Sequence, residues 1–259
     1  MPNNPIQIFK VKDKNEKHYT KKNGMFDLAF RLLIVGKSFL SGKTNLLLNF
    51  LLQNDPRLYK QDFKGENIYI FSASVFTDDK MRTLVEEKEI PSNNLFDTYD
   101  EEVVDTLYEL MKEEFNEKIR EDEKPENKLI IFDDMSFGGN LKKKGNGAIA
   151  KIFCNGRHIL LSSIITAQKY TDILTTCREN MTGGIFFKCS EKQLDLIESE
   201  HNFLENKKDF RHMFRVTTEE PHSFLVVNYS NPPEELYMNR NFEAIGKCGG
   251  VKGKSCDCD

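Results

Sequence analysis

The sequence lacks a long uninterrupted apolar stretch. The longest apolar run, around Leu46, is interrupted by Asn49 and Gln53 and falls short of the ~20 residues that a membrane-spanning helix needs. The amino terminus, Met1–Pro5, also lacks the apolar core of a secretory signal peptide. These two absences predict an intracellular protein with no membrane span.

Cysteine is sparse in the body of the chain, and the sequence shows no internal repeat. The six cysteines lie at Cys154, Cys177, Cys189, Cys248, Cys256 and Cys258. Because no secretory signal precedes them, we expect reduced thiols and not a disulfide framework.

The net charge of −4 argues against a simple nucleic-acid coat protein, but the lysines are unevenly distributed. One cluster runs from Lys10 to Lys22, and a second, Lys142–Lys144, lies in a glycine-containing loop. Acidic residues concentrate in 97–126. Since charge runs are usually solvated faces, plain solvation and binding to DNA phosphates both stay open for these lysines.

The composition that is present suits one sizeable α/β domain, with 259 residues of which 39% are hydrophobic and 30% charged. Strand and helix patterns alternate, which predicts a mostly parallel sheet. Strands are predicted at 31–35, 67–71, 128–132, 160–166, 184–188 and 223–228. Helices are predicted at 43–53, 79–88, 101–121, 147–156, 171–180 and 190–200.

Both ends of the chain are predicted to lie outside this domain. Residues 1–25 are interpreted as a basic extension and residues 26–235 as the α/β domain. Residues 236–259 are rich in glycine, lysine and cysteine, so we expect a flexible tail that does not fold on its own.

The segment Ser41-Gly42-Lys43-Thr44 lies between an apolar strand candidate, Leu32–Val35, and an apolar helix candidate at 45–52. This is the strand–loop–helix context of a phosphate-binding P-loop. Backbone N–H groups would hold anionic oxygens, Lys43 would reach the terminal phosphates, and Thr44 would offer a hydroxyl to magnesium. The predicted nucleotide-binding residues are Gly36, Lys37, Ser38, Ser41, Gly42, Lys43, Thr44 and Asn45.

The spacing of this loop departs from the usual P-loop, which has four residues between its glycines. Five residues separate Gly36 from Gly42. Either the loop carries one extra residue, or Lys37 takes the place of the first glycine. A chance Gly-Lys-Thr in a surface turn is the alternative interpretation.

A second motif comes directly after the apolar run that ends at Phe132, where Asp133 and Asp134 stand side by side. In P-loop NTPases a neighbouring strand delivers an aspartate that holds magnesium, which predicts Asp133 as the metal residue. The adjacent Asp134 would orient or deprotonate the attacking water, as a general base does. Alternatively, the pair only ends the strand and caps the next segment of the chain.

A third feature is Gln168, at the end of the apolar strand candidate 160–166. If this strand lies between the strands that deliver Lys43 and Asp133, the amide would touch both the γ-phosphate and the attacking water. Otherwise Gln168 only begins a turn.

The segments 35–52, 130–134 and 156–190 resemble the FtsK–HerA superfamily of ring ATPases that pump DNA. They are most similar to the compact genome-packaging ATPases of poxviruses, giant viruses, virophages and their transposon relatives. The order "GRHI…TAQKYTDI…REN…FFKCS" carries the resemblance, which covers about 30–235. The implied fold is the RecA-like (ASCE) P-loop NTPase, a three-layer α/β/α sandwich with a mostly parallel sheet.

The resemblance implies a role for each matching residue. Lys43 and Thr44 match the phosphate-loop lysine and the magnesium hydroxyl, and Asp133 matches the magnesium-coordinating acid. Asp134 matches the catalytic carboxylate, although the wider superfamily commonly has a glutamate there. Gln168 then matches the strand-end sensor, and Arg157 matches an arginine finger that reaches a neighbouring subunit's nucleotide, with Arg178 as its competitor for that role.

The function implied by the resemblance is an ATP- and Mg²⁺-dependent motor, a homo-oligomeric ring that packages double-stranded viral DNA into a capsid. Expected partners are double-stranded DNA, further copies of the chain and a capsid or portal-region protein. The expected location is the host-cell cytoplasm or viral factory, or the virion.

Two alternatives stay open from the residues themselves. A nucleotide or nucleoside kinase would share the phosphate loop, but it requires an arginine-bearing lid that the sequence does not show clearly. A non-catalytic, nucleotide-gated capsid assembly factor would bind ATP without turnover. A GTPase is disfavoured because Asn127-Lys128-Leu129-Ile130 lacks the aspartate that recognises guanine.

Overall fold

The computed structural model describes residues 18–22, 24–38, 41–56, 58–134 and 147–253. They form an eight-stranded sheet in the order β3-β2-β4-β5-β1-β6-β7-β8. The strands are β1 Arg31–Val35, β2 Ile68–Ser72, β3 Leu95–Phe96, β4 Lys128–Asp133, β5 Leu161–Ala167, β6 Gly183–Phe187, β7 Phe224–Asn228 and β8 Tyr237–Met238. The helices are α1 Lys43–Leu52, α2 Asp79–Lys88, α3 Glu101–Arg120, α4 Ala148–Asn155, α5 Thr175–Glu179, α6 Glu191–His201 and α7 Lys207–Thr217.

The sheet is mostly parallel, and helices cover both of its faces. Neighbouring strands from β3 to β6 pair in parallel. At the last strands of the sheet, β7 pairs antiparallel with both β6 and β8. Alternate residues of β1 serve the two faces, as the pleat requires. Leu33 and Val35 pack with α3, α4, α6 and α7, whereas Leu32 and Ile34 pack with α1 and α2. This three-layer α/β/α architecture confirms the predicted fold class.

Local sequence explains where the helices begin. The carboxylate of Asp100 accepts hydrogen bonds from the N–H groups of Glu102 and Val103 at the start of α3. The carboxylate of Asp78 likewise accepts from two N–H groups in the first turn of α2. Such caps satisfy N–H groups that have no partner within a helix. The buried stripe of α3 contains Val104, so this face of the helix belongs to the core.

The predicted elements agree with the structure except in four places. Strand β3, helix α7 and strand β8 were not predicted. In addition, α5 begins at Thr175 and not at residue 171, because residues 170–172 form a separate 3₁₀ turn. The missed α7 carries a helical pattern: Phe210, Met213 and Phe214 are buried on one face.

The segment after residue 235 was expected to be a flexible tail. In the structure, β8 pairs with β7, Ile245 is buried, and the ring of Phe242 contacts those of Phe26 and Phe50. Cys248 is disulfide-bonded, which corrects the expectation of reduced thiols at that position. The body cysteines Cys154, Cys177 and Cys189 are free, as expected. Residues 254–259 lie outside the described part of the chain.

Strand order brings the predicted site residues to one edge of the sheet. The central strands run β4-β5-β1, so β5 lies between the strand that ends at Asp133 and the strand that leads to the P-loop. In register, Asp133 pairs with Thr166 and Val35 pairs with Ala167. The carboxyl ends of these three strands therefore meet. The strand before Gln168 lies between the strands that lead to Lys43 and Asp133, as predicted. Within the described ranges, no helix is both long and apolar enough to cross a membrane.

Candidate nucleotide site

The loop between β1 and α1 is tightly constrained at Gly36. Its N–H donates to the carbonyl of Ala167 on β5, over 3.0 Å. A Cβ at Gly36 would lie 2.5 Å from the Cβ of Ser41 and 2.9 Å from the side chain of Phe187. Only glycine fits such a close approach. Gly36 therefore has a packing role of its own, whereas Lys37 and Ser38 are exposed.

The end of the loop presents the amino terminus of α1. Gly42 adopts a left-handed conformation (φ 79°), and no side chain of the described residues caps the helix. The first turn carries no acidic residue, so its N–H groups and the positive end of the helix dipole suit an anion. Thr44 is half-buried and Asn45 is exposed in this turn.

Lys43 spans the loop. Its Nζ donates to the carbonyl of Gly36 over 2.8 Å, and the residue is only 7% exposed. The hydroxyl of Ser41 donates to the carbonyl of Lys37 over 2.7 Å, which closes the loop from the other side. The ammonium group is thus held beside the helix terminus, where P-loop lysines bind phosphates.

Asp133 ends β4 as a buried carboxylate between two hydroxyl groups. Oδ1 accepts from Thr166 over 2.7 Å, and Oδ2 accepts from Ser72 over 3.1 Å. Burial raises the pKa of Asp133, an effect that these two hydrogen bonds and the positive charge of Lys43 oppose. Ser72 and Thr166 are therefore site residues that sequence reasoning missed. In the sequence, Ser72 is the last residue of its strand, and Thr166 is one of three hydroxyl residues in β5, so neither stands out.

Asp134 leaves the strand in a left-handed conformation (φ 50°). Its N–H lies 3.1 Å from Thr166 Oγ1, and its Oδ2 accepts from Gln168 Nε2 over 3.0 Å. Oδ1 is buried and has no hydrogen-bond partner among the described residues. A buried carboxylate oxygen without a donor is costly, so this atom is suited to accept a hydrogen bond from water or substrate.

The oxygen donors at this edge fit a magnesium ion. Asp133 supplies a carboxylate and Thr44 a hydroxyl, and Mg²⁺ prefers such oxygen ligands. In the described parts of the chain, no group of three or more His, Cys, Asp or Glu side chains is arranged to hold a metal. An ion here would therefore need phosphate oxygens and water to complete its coordination.

The two arginines considered as fingers differ in their surroundings. Arg157 is exposed in the turn before β5, at the opposite end of the strand from Gln168. Arg178 is engaged within its own subunit, where it pairs with Glu200 over 3.4 Å and lies over the ring of Tyr170 at 5.1 Å. These contacts favour a structural role for Arg178.

A cavity of about 540 Å³ adjoins the P-loop, and sequence reasoning did not predict it. Its wall combines the P-loop, the end of β6 and the loop before β7. The lining residues are Lys37, Ser41, Phe187, Lys188, Cys189, Thr218, Glu219, Glu220, Pro221, His222 and Ser223. The predicted loop lysines Lys142–Lys144 and the lysines from Lys10 to Lys17 lie outside the described residues.

Comparisons with known proteins agree with this architecture. The genome packaging NTPase B204 from Sulfolobus turreted icosahedral virus 2, in complex with AMP, matches with 15% sequence identity and a TM-score of 0.53, over 78% of this chain and 93% of that chain. The DNA-packaging ATPase B204 from Sulfolobus turreted icosahedral virus matches with 14% identity and a TM-score of 0.53, over 82% and 97% of the two chains. At such identities the likeness shows the fold. A search of curated proteins finds no match.

The sequence itself carries the family signal. Residues 16–231 match the family described as Poxvirus A32 protein. The matched range contains the P-loop, the two aspartates after β4, Gln168 and both arginines. Because this range covers most of the 259 residues, the chain belongs to the Poxvirus A32 protein family.

Proposed function

We propose that this protein is an ATPase that works as a homo-oligomeric ring and packages double-stranded viral DNA. The observation that carries the proposal is the hydrogen bond of 3.0 Å between Gln168 and Asp134, at the sheet edge that also holds Lys43. This contact joins a strand-end amide to a carboxylate beside a phosphate-binding loop, the arrangement that ATP hydrolysis needs. Family membership and the packaging ATPases of similar fold support the same function.

In this proposal, the β- and γ-phosphates lie on the amino terminus of α1 and against Lys43. Thr44 and Asp133 would hold Mg²⁺, which neutralises charge on the phosphates. The free Oδ1 of Asp134 accepts a hydrogen bond from the attacking water and takes its proton. Gln168 holds the other oxygen of Asp134 and so keeps the carboxylate aimed at the water.

The cavity beside the P-loop is the place for the nucleoside. It shares Lys37 and Ser41 with the P-loop, and its volume of about 540 Å³ falls in the range of small-molecule sites. We assign the loop 218–223 and the end of β6 to contacts with the base and the sugar.

The position of Arg157 supports a ring. β5 has seven residues, so Arg157 lies roughly 20 Å from the strand's carboxyl end, beyond the reach of an arginine side chain. It therefore acts on a nucleotide in an adjacent copy, where an arginine supplied in trans stabilises charge on the transferred phosphoryl group. Head-to-tail contacts of this kind form a ring when the rotation between neighbouring copies closes.

The proposal includes two further partners, double-stranded DNA and a capsid or portal-region protein. It places the protein in the infected cell's cytoplasm, in the viral factory or in the virion. Pore contacts would go to DNA phosphates and not to base edges, because a packaging motor passes any sequence. The kinase and the non-catalytic assembly factor are the alternatives that a test must separate from it.

The decisive experiment measures ATP turnover with and without double-stranded DNA, together with mass in solution in the presence of nucleotide. We expect turnover that DNA stimulates and that depends on oligomer formation. Turnover that requires a small-molecule acceptor and ignores DNA would instead identify a kinase. ATP binding without turnover in every oligomeric state would identify an assembly factor.

Mixing of variants tests the arginine in trans. Arg157→Ala should bind ATP but not hydrolyse it, and the addition of Lys43→Ala protein should restore part of the turnover. Restoration is expected because some interfaces in a mixed ring combine one intact loop with one intact arginine. Lack of restoration in verified mixed oligomers would place the arginine elsewhere.

A further inference from the structure

Arg31, the first residue of β1, lies at the sheet edge opposite the P-loop. It pairs in register with Ser163 of β5, so its backbone is close to the turn 156–159 that precedes β5. By the alternation of β1, its side chain shares a face with Leu33 and Val35, which is the face that α4 covers. The turn that carries Arg157 continues directly from α4, which places both arginines on the same side of the same edge.

Neither arginine has a counter-ion among the described residues. In that part of the chain, neither the guanidinium of Arg31 nor that of Arg157 makes a salt bridge or hydrogen bond, and the Nε of Arg31 is buried there without an acceptor. Burial lowers the pKa of Arg31, and the positive charge of Arg157 lowers it further, against a small opposing effect of Cys154. Because arginine stays protonated at neutral pH, two positive charges coexist here at an energetic cost.

A cation at the same edge shows what a structural arginine would need. Lys128, the first residue of β4, is buried, but its Nζ lies 2.8 Å from a carboxylate oxygen of Glu114 and 3.0 Å from Asn67 Oδ1. That charge is fully accommodated within the subunit. Arg31 lacks any comparable acceptor in the described ranges, so no described residue offsets the cost of its charge.

We propose that Arg31 and Arg157 together form an anion site that binds the phosphates of a nucleotide held by an adjacent copy of the chain. The site rests on the proposed ring, in which Arg157 meets the neighbour's nucleotide. Two guanidinium groups present donors in a planar geometry that matches phosphate oxygens, and a phosphate between them would offset their repulsion. Arg31 is then a second cation of the trans site, and its exposed partner Arg157 is the first.

The test compares Arg31→Gln, Arg31→Lys and Arg157→Ala with Arg120→Gln as the control. Arg120 is an exposed arginine at the end of α3, paired with Glu117. Turnover, ATP binding, association in the presence of a non-hydrolysable ATP analogue, and thermal unfolding are measured for each variant. We expect Arg31→Gln to lose about 10²-fold in turnover, as the loss of one preorganised donor typically does. Arg31→Lys should recover part of the loss, and Arg120→Gln should show none.

Thermal unfolding separates this role from a structural one. Because Arg31→Gln removes a partly buried charge and its repulsion with Arg157, its Tm should stay equal to that of the parent or rise. ATP binding by the separate subunit should also be unchanged, while association driven by the nucleotide analogue should weaken. A fall in Tm that accompanies the fall in turnover would overturn the proposal.

Complementation decides whether Arg31 acts in trans. Mixed with Lys43→Ala protein, Arg31→Gln should regain turnover, as Arg157→Ala should. If Arg157→Ala is complemented and Arg31→Gln is not, this inference fails while the proposed function stands. If neither is complemented in verified mixed oligomers, the proposed trans site itself fails.

The phosphates of DNA are a second source of the same ligand chemistry. Binding of double-stranded DNA is therefore measured without nucleotide across a series of salt concentrations. We expect the same affinity and salt slope for Arg31→Gln as for the parent protein. A weaker affinity with a flatter slope would mean that Arg31 contacts DNA phosphates and would overturn the nucleotide assignment.

Discussion

At the scale of single residues, the site depends on one hydroxyl that serves two acids. Thr166 Oγ1 lies 2.7 Å from Asp133 Oδ1 and 3.1 Å from the N–H of Asp134. The hydroxyl donates to the carboxylate of the first residue and accepts from the backbone of the second, so one side chain orients the Asp133 carboxylate and fixes the backbone of Asp134. With Gln168 on its other oxygen, Asp134 keeps a single free acceptor among the described residues. That division supports the proposed roles, in which Asp133 holds the metal and Asp134 the water.

The first prediction separates these roles by substitution. Asp134→Asn should bind ATP normally but stop hydrolysis, because an amide cannot accept the proton of water. Lys43→Ala should lose ATP binding or turnover, since the loop would lose its buried cation. Asp133→Asn should lower the affinity for magnesium, so excess magnesium should restore part of its turnover. Binding titrations and turnover measurements check all three, and normal hydrolysis by Asp134→Asn would contradict the assignment.

A second prediction concerns His201, whose two ring nitrogens are engaged by tyrosines. Nε2 lies 2.6 Å from the hydroxyl of Tyr170 and Nδ1 lies 2.7 Å from that of Tyr229. Burial, with a smaller effect of Arg178, lowers the pKa of His201 from 6.5 to about 4. The neutral ring therefore stabilises the fold fully above pH 6.5, and this stability is lost as the pH falls towards 4. The shift corresponds to roughly 3 kcal/mol.

Urea unfolding at a series of pH values between 7 and 4 tests this prediction. The free energy of unfolding should fall across that range in the parent protein and less steeply in His201→Gln. His212→Gln, which changes an exposed histidine of α7, serves as the control and should follow the parent. Equal slopes for the parent and His201→Gln would show that another group carries the pH dependence.

Some site residues could be predicted from sequence because their chemistry is local. Asp133 directly follows an apolar strand, and Lys43 lies in a Gly-Lys-Thr segment between an apolar strand and an apolar helix, so each functional group is read together with its element. Ser72 and Thr166 could not be predicted in the same way. Ser72 ends β2, and Thr166 is one of three hydroxyl residues in β5, so only the register that pairs both with Asp133 singles them out.

At the scale of secondary structure, α7 shows why some elements escape prediction. Its apolar positions, Phe210, Met213 and Phe214, are few and stand among charged residues, so the segment has little overall hydrophobicity. Its start depends on Asn206, whose side chain accepts the N–H of Asp209 over 2.9 Å. Strands β3 and β8 have two residues each, too few to show an alternating pattern.

The third prediction tests what α7 contributes to stability. Phe210→Ala should destabilise the protein by about 3–5 kcal/mol, because this ring is fully buried and a cavity would replace it. Phe203→Ala is the matched control, since Phe203 is 65% exposed and its loss should cost far less. Denaturant unfolding followed by circular dichroism measures both. Equal costs would mean that α7 packs loosely on the sheet.

At the scale of the whole molecule, the two edges of the sheet carry complementary chemistry. The carboxyl edge presents Lys43, Asp133 and Asp134, and the opposite edge presents Arg31 and Arg157. A parallel sheet separates these groups by the length of its strands, so one copy cannot bring them together. Repeated head-to-tail contacts between copies can do so, and this links the single-chain fold to the proposed ring.

The last prediction concerns DNA and Lys142–Lys144, which lie outside the described residues and are assigned from sequence alone. The loop follows Asp134 closely and contains several glycines, so movement at the nucleotide would pass into it directly. If these lysines contact DNA phosphates, their joint replacement by alanine should weaken binding equally for all sequences. It should also flatten the salt dependence, because each lost contact releases about one counterion fewer.

Basal ATP hydrolysis should survive this triple replacement while stimulation by DNA falls, since the nucleotide site itself is intact. Filter binding across salt concentrations and turnover with and without DNA provide the two measurements. The matched control replaces Lys10, Lys12 and Lys14 with alanine in the amino-terminal segment. If that control loses stimulation and the loop variant retains it, the DNA-binding surface lies in the amino-terminal segment. If both variants keep the parent's salt slope and stimulation, neither lysine cluster carries the DNA, and the proposed pore contacts must come from other residues.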